Sequence, residues 1–274
     1  MEVGLRPRKE ATKTGHEAGV LIKANNMTIV KTVLEWAYQP ADFFEFPYRM
    51  TMPDCEIQIQ DGTVRVTLNS PLDPVPDALK SRIALEIEAI FRIRRLRTHK
   101  RFELKGSHTI QFAKDGGRRI DMSGTCVAKA TVRADMIALD SAGNVVQDTR
   151  AERIAADARF VDELAPKISR SPLLKVLVGS YSAAVEDPPD ELTHLYEIRE
   201  ALARHYRDDH RAQKTLGITK ADWKRLGQLA NDEPLQQSRH RGKHLPSIRP
   251  ATEAELEEAR EISRRLILAF AESL

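Results

Sequence analysis

The chain has 274 residues, enough for two domains of ordinary size, each with its own core. Its 41% hydrophobic and 30% charged residues suit a globular protein, and no apolar run of about 18 or more residues is present to span a bilayer as a helix. The net charge of +3 is unevenly spread: seven basic residues face the single acid Glu103 between Arg92 and Lys105, and eleven face five acids between Arg204 and Arg249. Charge concentrated in this way suits a polyanionic partner or a solvated basic face.

Residues 1–22 read as a flexible tail; the stretch MEVGLRPRKEATKTGHEAG lacks the apolar core of a secretory signal. Cys55 and Cys126 are isolated thiols without metal-ligand spacing, so a reducing, cytoplasmic location is expected. From 23 to 150 the apolar residues recur mostly with period two, which predicts a β-rich domain, an antiparallel sheet or sandwich. In CEIQIQDGTVRVTL, Ile57 and Ile59, then Val64, Val66 and Leu68, alternate around Asp61-Gly62, a dipeptide suited to a tight hairpin turn. Further strands are expected in TVLEWAY, RFELKG, HTIQFA, CVAKATVRADMIALD and NVVQD, with turns at KDGGRR and DSAGN.

DALKSRIALEIEAIFRIRRL fits both periods: Leu79, Ile83, Ile87 and Ile90 make a helical stripe, yet Ile83, Leu85, Ile87, Ala89, Phe91 and Ile93 alternate strictly. Its length and lack of an internal breaker favour a helix. The basic run 92–105 that follows is open to two readings. It is either a nucleic-acid track with Phe91 and Phe102 as stacking groups or a solvated helix end and strand edge.

After Thr149 the spacing becomes helical, and residues 151–274 read as a helical bundle. RSPLLKVLVGSYSAAVED opens with Ser171 as N-cap and Pro172 at the first helical position, and places Leu173, Leu177 and Tyr181 on one side. DELTHLYEIREALARHY carries the stripe Leu192, Leu195, Ile198 and Leu202. TKADWKRLGQLAN starts with Thr219 and Asp222 in a capping-box-like pair, and TEAELEEAREISRRLILAFAESL with the capping box Thr252 and Glu255. Tyr181, Tyr196 and Trp223 occupy helical positions where core packing is expected. The fold class is therefore α+β, a β-rich domain followed by an all-α bundle.

Between the last two long helices lies LQQSRHRGKHLPSIRP, with two arginines, two histidines and a lysine within residues 239–244. Pro234 is placed to start a short helix through Arg239, and Gly242 and Pro246 to end it. A guanidinium fork holds a phosphate and stabilises charge building on it, and an imidazole exchanges a proton with a ribose hydroxyl or a leaving oxygen near neutral pH. Arg239 and His244 supply both groups. On one continuous helix the two side chains would stand roughly 140° apart, so convergence requires the helix to end between them or a second protomer to contribute. An Arg followed by a His after four to six intervening residues occurs six times in the chain, the group Arg204, His205 and His210 among them. Position, not spacing, singles out the last. The bland reading is a solvated loop whose charges meet Glu253, Glu257 or Glu258.

This context resembles the HEPN families, in which an Arg, a polar residue, a few further residues and a His lie towards the C-terminal end of a helical bundle. The likeness covers roughly residues 155–274 and rests on SRHRGKH, the loop after it and TEAELEEAREISRRLILAF. It implies a homodimer and a metal-independent endoribonuclease of toxin or antiviral type, with no cofactor and RNA as partner. Arg239 and His244 then take the catalytic roles, His240 the polar second position, and His240, Arg241 and Lys243 contact substrate. Gly242 interrupts the motif, and Arg241 and Lys243 make it more basic than the family pattern. The alternative is a non-catalytic module that binds nucleic acid or a nucleotide and dimerises. In either case the β-rich half is expected to receive a regulatory ligand or partner.

Overall fold

The computed structural model describes residues 28–121, 136–139, 145–245 and 247–274. The expected tail, most of the strand segment 126–140 and the DSAGN turn lie outside the described residues. The described chain forms an antiparallel sheet followed by helices, the α+β arrangement that the change of period predicts.

Strands β1 (Ile29–Gln39), β2 (Tyr48–Thr51), β3 (Cys55–Gln60), β4 (Thr63–Leu68), β5 (Glu103–Leu104), β6 (His108–Ala113) and β7 (Arg118–Asp121) build one sheet. Its order is β2-β3-β4-β1-β6-β7, with β5 pairing to the end of β1. The β3–β4 hairpin turns at Asp61 and Gly62, both with positive φ (49° and 78°), as the primed two-residue turn requires. Alternation puts Leu34, Trp36 and Tyr38 of β1, Ile57 and Ile59 of β3, and Val64 and Val66 of β4 into the core. On the opposite face Glu35 and Arg65 pair across the strands at 2.7 Å. A separate small hairpin joins β8 (Ile137–Leu139) to β9 (Val145–Asp148).

The ambiguous segment is the helix α1 (Asp77–Thr98), 22 residues long. The helical stripe Leu79, Ile83, Ile87 and Ile90 packs on the core, and Phe91 and Ile93 are buried with it because α1 is covered on more than one side, whereas Leu85 of the alternating set is exposed. Phe91 is fully buried among aromatic rings, with centroids 5.1 Å from Tyr38, 4.9 Å from Phe44, 5.5 Å from Phe43 and 5.0 Å from Phe102. Elsewhere α1 packs on α2 (Thr149–Arg170) and α3 (Pro172–Glu186). Buried side chains of the sheet, α1 and the later helices form one continuous core.

The bundle continues with α4 (Glu191–His205), α5 (Asp209–Leu216), α6 (Lys220–Gly227) and α7 (Glu253–Glu272). Ser171 caps α3 through Leu174 N–H, Thr219 caps α6 through Asp222 N–H, and Thr252 with Glu255 completes the capping box of α7. The stripe Leu192, Leu195, Ile198 and Leu202 is wholly buried. On α3 the buried position is Leu174, not Leu173, because the helix meets α4 as well as α7.

The basic run 92–105 is not simply a solvated edge, and Phe91, fully buried, is not available to stack a base. Arg94 and Arg95 are each 3% exposed. Arg94 pairs with Asp157 of α2, donates from Nε to the Phe43 carbonyl at 3.3 Å, and has Glu45 at 3.8 Å. Arg95 pairs with Glu186 of α3, lies 4.1 Å over the Phe102 ring and donates to the Ser182 carbonyl at 3.4 Å. Arg101 donates to the carbonyls of Val185 and Glu186 at 3.0 and 2.7 Å. The run binds the sheet half to the bundle. Burial pulls both guanidinium groups down from their usual pKa, while Asp157 and Glu186 act in the other direction.

Removing one member of a buried ion pair leaves the other charge unpaired, which costs about 3–5 kcal/mol. Asp157→Ala leaves the buried Arg94 guanidinium without its close carboxylate partner, Glu45 being 3.8 Å away, and is therefore expected to lower the free energy of unfolding in urea by about that amount. A loss below about 1 kcal/mol, the size of a surface pair, would contradict the buried pairing.

Candidate functional site

Helix α6 widens into a π turn over Gln228–Asp232, and the chain then leaves the helix axis at Glu233. Leu235, fully buried, plugs the loop into the core and forms a parallel bridge with Arg249. Gln236 N–H donates to the Arg249 carbonyl and Arg249 N–H to the Pro234 carbonyl, each at 2.9 Å. Arg239 N–H reaches back to the Ala230 carbonyl at 2.8 Å. The Pro234 carbonyl and the Arg239 N–H are groups that a helix from Pro234 would pair internally, so the expected short helix does not form. The loop is closed at its neck and held at its middle.

Arg239 is the best-supported cation of the loop. Its guanidinium carbon lies 5.0 Å over the Tyr196 ring, and Nη1 pairs with Glu200 at 2.8 Å. Tyr196 and Glu200 are four residues apart on α4, so one helix face presents both the stacking plane and the carboxylate. Nε and Nη2 have no protein acceptor among the described residues. The side chain is 31% exposed.

Arg241 is committed to the protein. It pairs with Asp190 and donates to the carbonyls of Ser238 and Pro189, both at 3.0 Å. This staples the loop to the turn ahead of α4. His240 and Lys243 are exposed. His244 ends a short 3-10 turn, Arg241–His244, and its side chain lies outside the described residues. Arg239 and His244 therefore do not share a continuous α-helix, the arrangement that would have held them apart. Gly242 sits inside the 3-10 turn without a positive φ and with open space where a Cβ would be. Nothing local requires glycine there.

The rival group is dispersed. His205 packs edge-on against Phe270 and Tyr206, while Arg204 and His210 are exposed on α4 and α5. The acids that meet the loop are Glu200, Asp190, Glu233 and Glu255, none of them the three carboxylates named from sequence proximity. The sequence offers Tyr196 only as a core-packing position and gives no signal for Glu200, which lies 39 residues upstream of Arg239.

Two ionic groups frame the site. Arg249 grips Glu255 in a fork with contacts of 2.6 and 2.8 Å, so the loop's exit is tied to the first turn of α7. The Arg249 guanidinium, with help from Thr252, holds the Glu255 carboxyl well below the usual carboxylate range. Deeper in the bundle, Glu191 receives Arg260 at 2.6 and 3.1 Å and faces His99 Nε2 at 3.3 Å; His99 Nδ1 is 3.2 Å from the Tyr181 hydroxyl. Burial pushes the Glu191 carboxyl up, but the bonds from His99 and Arg260 outweigh it and leave it below its ordinary value. Burial also pushes the Tyr181 hydroxyl up.

Comparison with known proteins returns no match: no family model, no curated protein and no solved structure aligns with this chain.

Glu255 is depressed in the folded state, so its stabilisation is complete above the unfolded value of about 4.3 and is lost as pH falls through the folded value. Glu255→Gln keeps the capping bond and removes the charge. It is expected to be less stable than wild type by about 1 kcal/mol or less at pH 7, with the gap closing as pH drops below about 4. Urea unfolding at both pH values checks this; a gap that does not change with pH would contradict it.

Proposed function

We propose that the chain is a metal-independent endoribonuclease that acts as a homodimer, an effector of toxin or antiviral type in the cytoplasm. The observation that carries this reading is the state of Arg239. Tyr196 under the guanidinium and the bond to Glu200 hold it in place, while Nε and Nη2, the edge that takes two phosphate oxygens, have no acceptor among the described residues. A preset donor edge stabilises a phosphorane-like transition state without reorganisation at the moment of reaction.

In this reading His244 removes the proton of a ribose 2′-hydroxyl, whose oxygen attacks the adjacent phosphorus. The bond to the 5′-oxygen breaks, and that oxygen is protonated by an imidazolium, the same one or that of the second protomer. Arg239 neutralises the charge on the non-bridging oxygens, and exposed His240 and Lys243 meet the flanking backbone. Arg241 shapes the loop through Asp190 and Pro189. The sheet half is the regulatory or targeting module.

Arg239→Ala and His244→Ala, each folded by circular dichroism, are expected to lose RNA cleavage by about 100-fold or more, with wild-type cleavage persisting in EDTA. A wild-type dimer that leaves a panel of RNAs intact, or cleaves only with added metal, overturns the reading.

The charge Arg239 already shares with Glu200 favours a second reading, a nucleic-acid-binding dimerisation module without turnover. It predicts RNA binding that weakens with salt and releases no product.

A further inference from the structure

A cleft of about 310 Å³ opens among α4, α5, α6 and the π turn. It adjoins the candidate phosphate site through one side chain: Tyr196 carries Arg239 at 5.0 Å and Arg199, which lines the cleft, at 5.1 Å. Arg199 also lies 5.2 Å over the Trp223 ring and pairs with Asp209 at 2.8 Å. Its guanidinium fills the space beside Gly227, where an added Cβ would run into Nη1. A side chain at 227 would therefore displace the end of Arg199.

Three further features of the lining point to a ligand. Trp223 is 2% exposed and its indole N–H has no acceptor, and the buried side-chain oxygen of Asn231 has no donor. Each such orphan costs about 1–3 kcal/mol, and native proteins keep few of them. Lys220 and Lys224 stand one turn apart on α6, both exposed, and neither has an ion-pair partner among the described residues, whereas Arg239, Arg241 and Arg249 all do. Finally, the helix leaves this wall through a π turn, a distortion found frequently at functional sites.

We propose that this cleft is a nucleotide subsite. The base lies against the Arg199 guanidinium, with its edge accepting from the Trp223 indole N–H and donating to the Asn231 side-chain oxygen; Lys220 and Lys224 hold its phosphate. A volume at the low end for ligand sites accommodates one nucleotide. Resting on the ribonuclease reading for its role, the subsite seats a base next to the phosphate at Arg239. The substrate is then single-stranded RNA, because a paired and stacked base cannot enter.

The test is calorimetric titration of the full chain with AMP, GMP, CMP and UMP, and with inorganic phosphate as control. At least one nucleotide is expected to bind more tightly than phosphate. Gly227→Ala, which pushes Arg199 off Trp223, is expected to weaken binding by about tenfold or more. Lys220→Ala with Lys224→Ala, both at exposed positions, is expected to weaken binding and flatten its salt dependence, and this pair carries the test if Gly227→Ala does not fold. Four nucleotides that bind no better than phosphate, or binding that neither folded variant weakens, overturn the subsite even where RNA is cleaved. Nucleotide binding weakened by these variants, in a chain that cleaves no RNA, supports the subsite and overturns the ribonuclease reading.

Discussion

A guanidinium cannot shed its proton inside a protein, so an arginine taken out of water must be met by carboxylates and carbonyls. Arg94 and Arg95 impose that demand at the centre of this molecule. Asp157 and Glu45 answer Arg94, and Glu186 and the Ser182 carbonyl answer Arg95. Those groups belong to α2, to the chain ahead of β2 and to α3, so satisfying two side chains of α1 sets where the bundle lies against the sheet. Phe91, on the same helix, fills the aromatic cluster on the sheet side. Helix α1 is thus the shared element of both halves.

The same logic extends to the loop. His99, in the left-handed conformation that ends α1, meets Glu191 at the start of α4, and Arg260 of α7 grips the same carboxylate. Helices α4 and α7 are located relative to α1 by this cluster. Helix α4 in turn supplies Tyr196, Arg199 and Glu200, the platform on which Arg239 rests and along which the nucleotide cleft opens. Helix α7 anchors the loop's exit through Glu255 and Arg249. A path of packed and ion-paired groups therefore runs from the sheet to the motif.

Much of the local structure was legible in the sequence because it depends on neighbours in the chain. The Asp61-Gly62 turn, the Ser171-Pro172 start, the Thr252–Glu255 capping box and the stripe on α4 each follow from spacing and backbone preference. What was not legible depends on partners distant in sequence. The run 92–105 looks like surface charge until Asp157 and Glu186 arrive from later helices to bury it. A helix from Pro234 looks favourable until Arg249 and Ala230 compete for its backbone. In the motif itself, the Arg-to-His spacing said little; the support under Arg239 is tertiary, and Gly242, placed by the sequence to end a helix, sits inside a 3-10 turn.

The central claim is that buried arginines of α1 make the sheet and the bundle one cooperative unit. Trp36 lies in the sheet core and Trp223 in the bundle core, so Trp36→Phe and Trp223→Phe leave one fluorescent reporter in each half. Urea unfolding of each variant, followed by tryptophan fluorescence and by circular dichroism, measures this directly. The account predicts that within each variant the two probes give coincident, single transitions, as expected for all-or-none unfolding. A sheet reporter and a bundle reporter that melt at separate urea concentrations, each out of step with the circular dichroism, would contradict it.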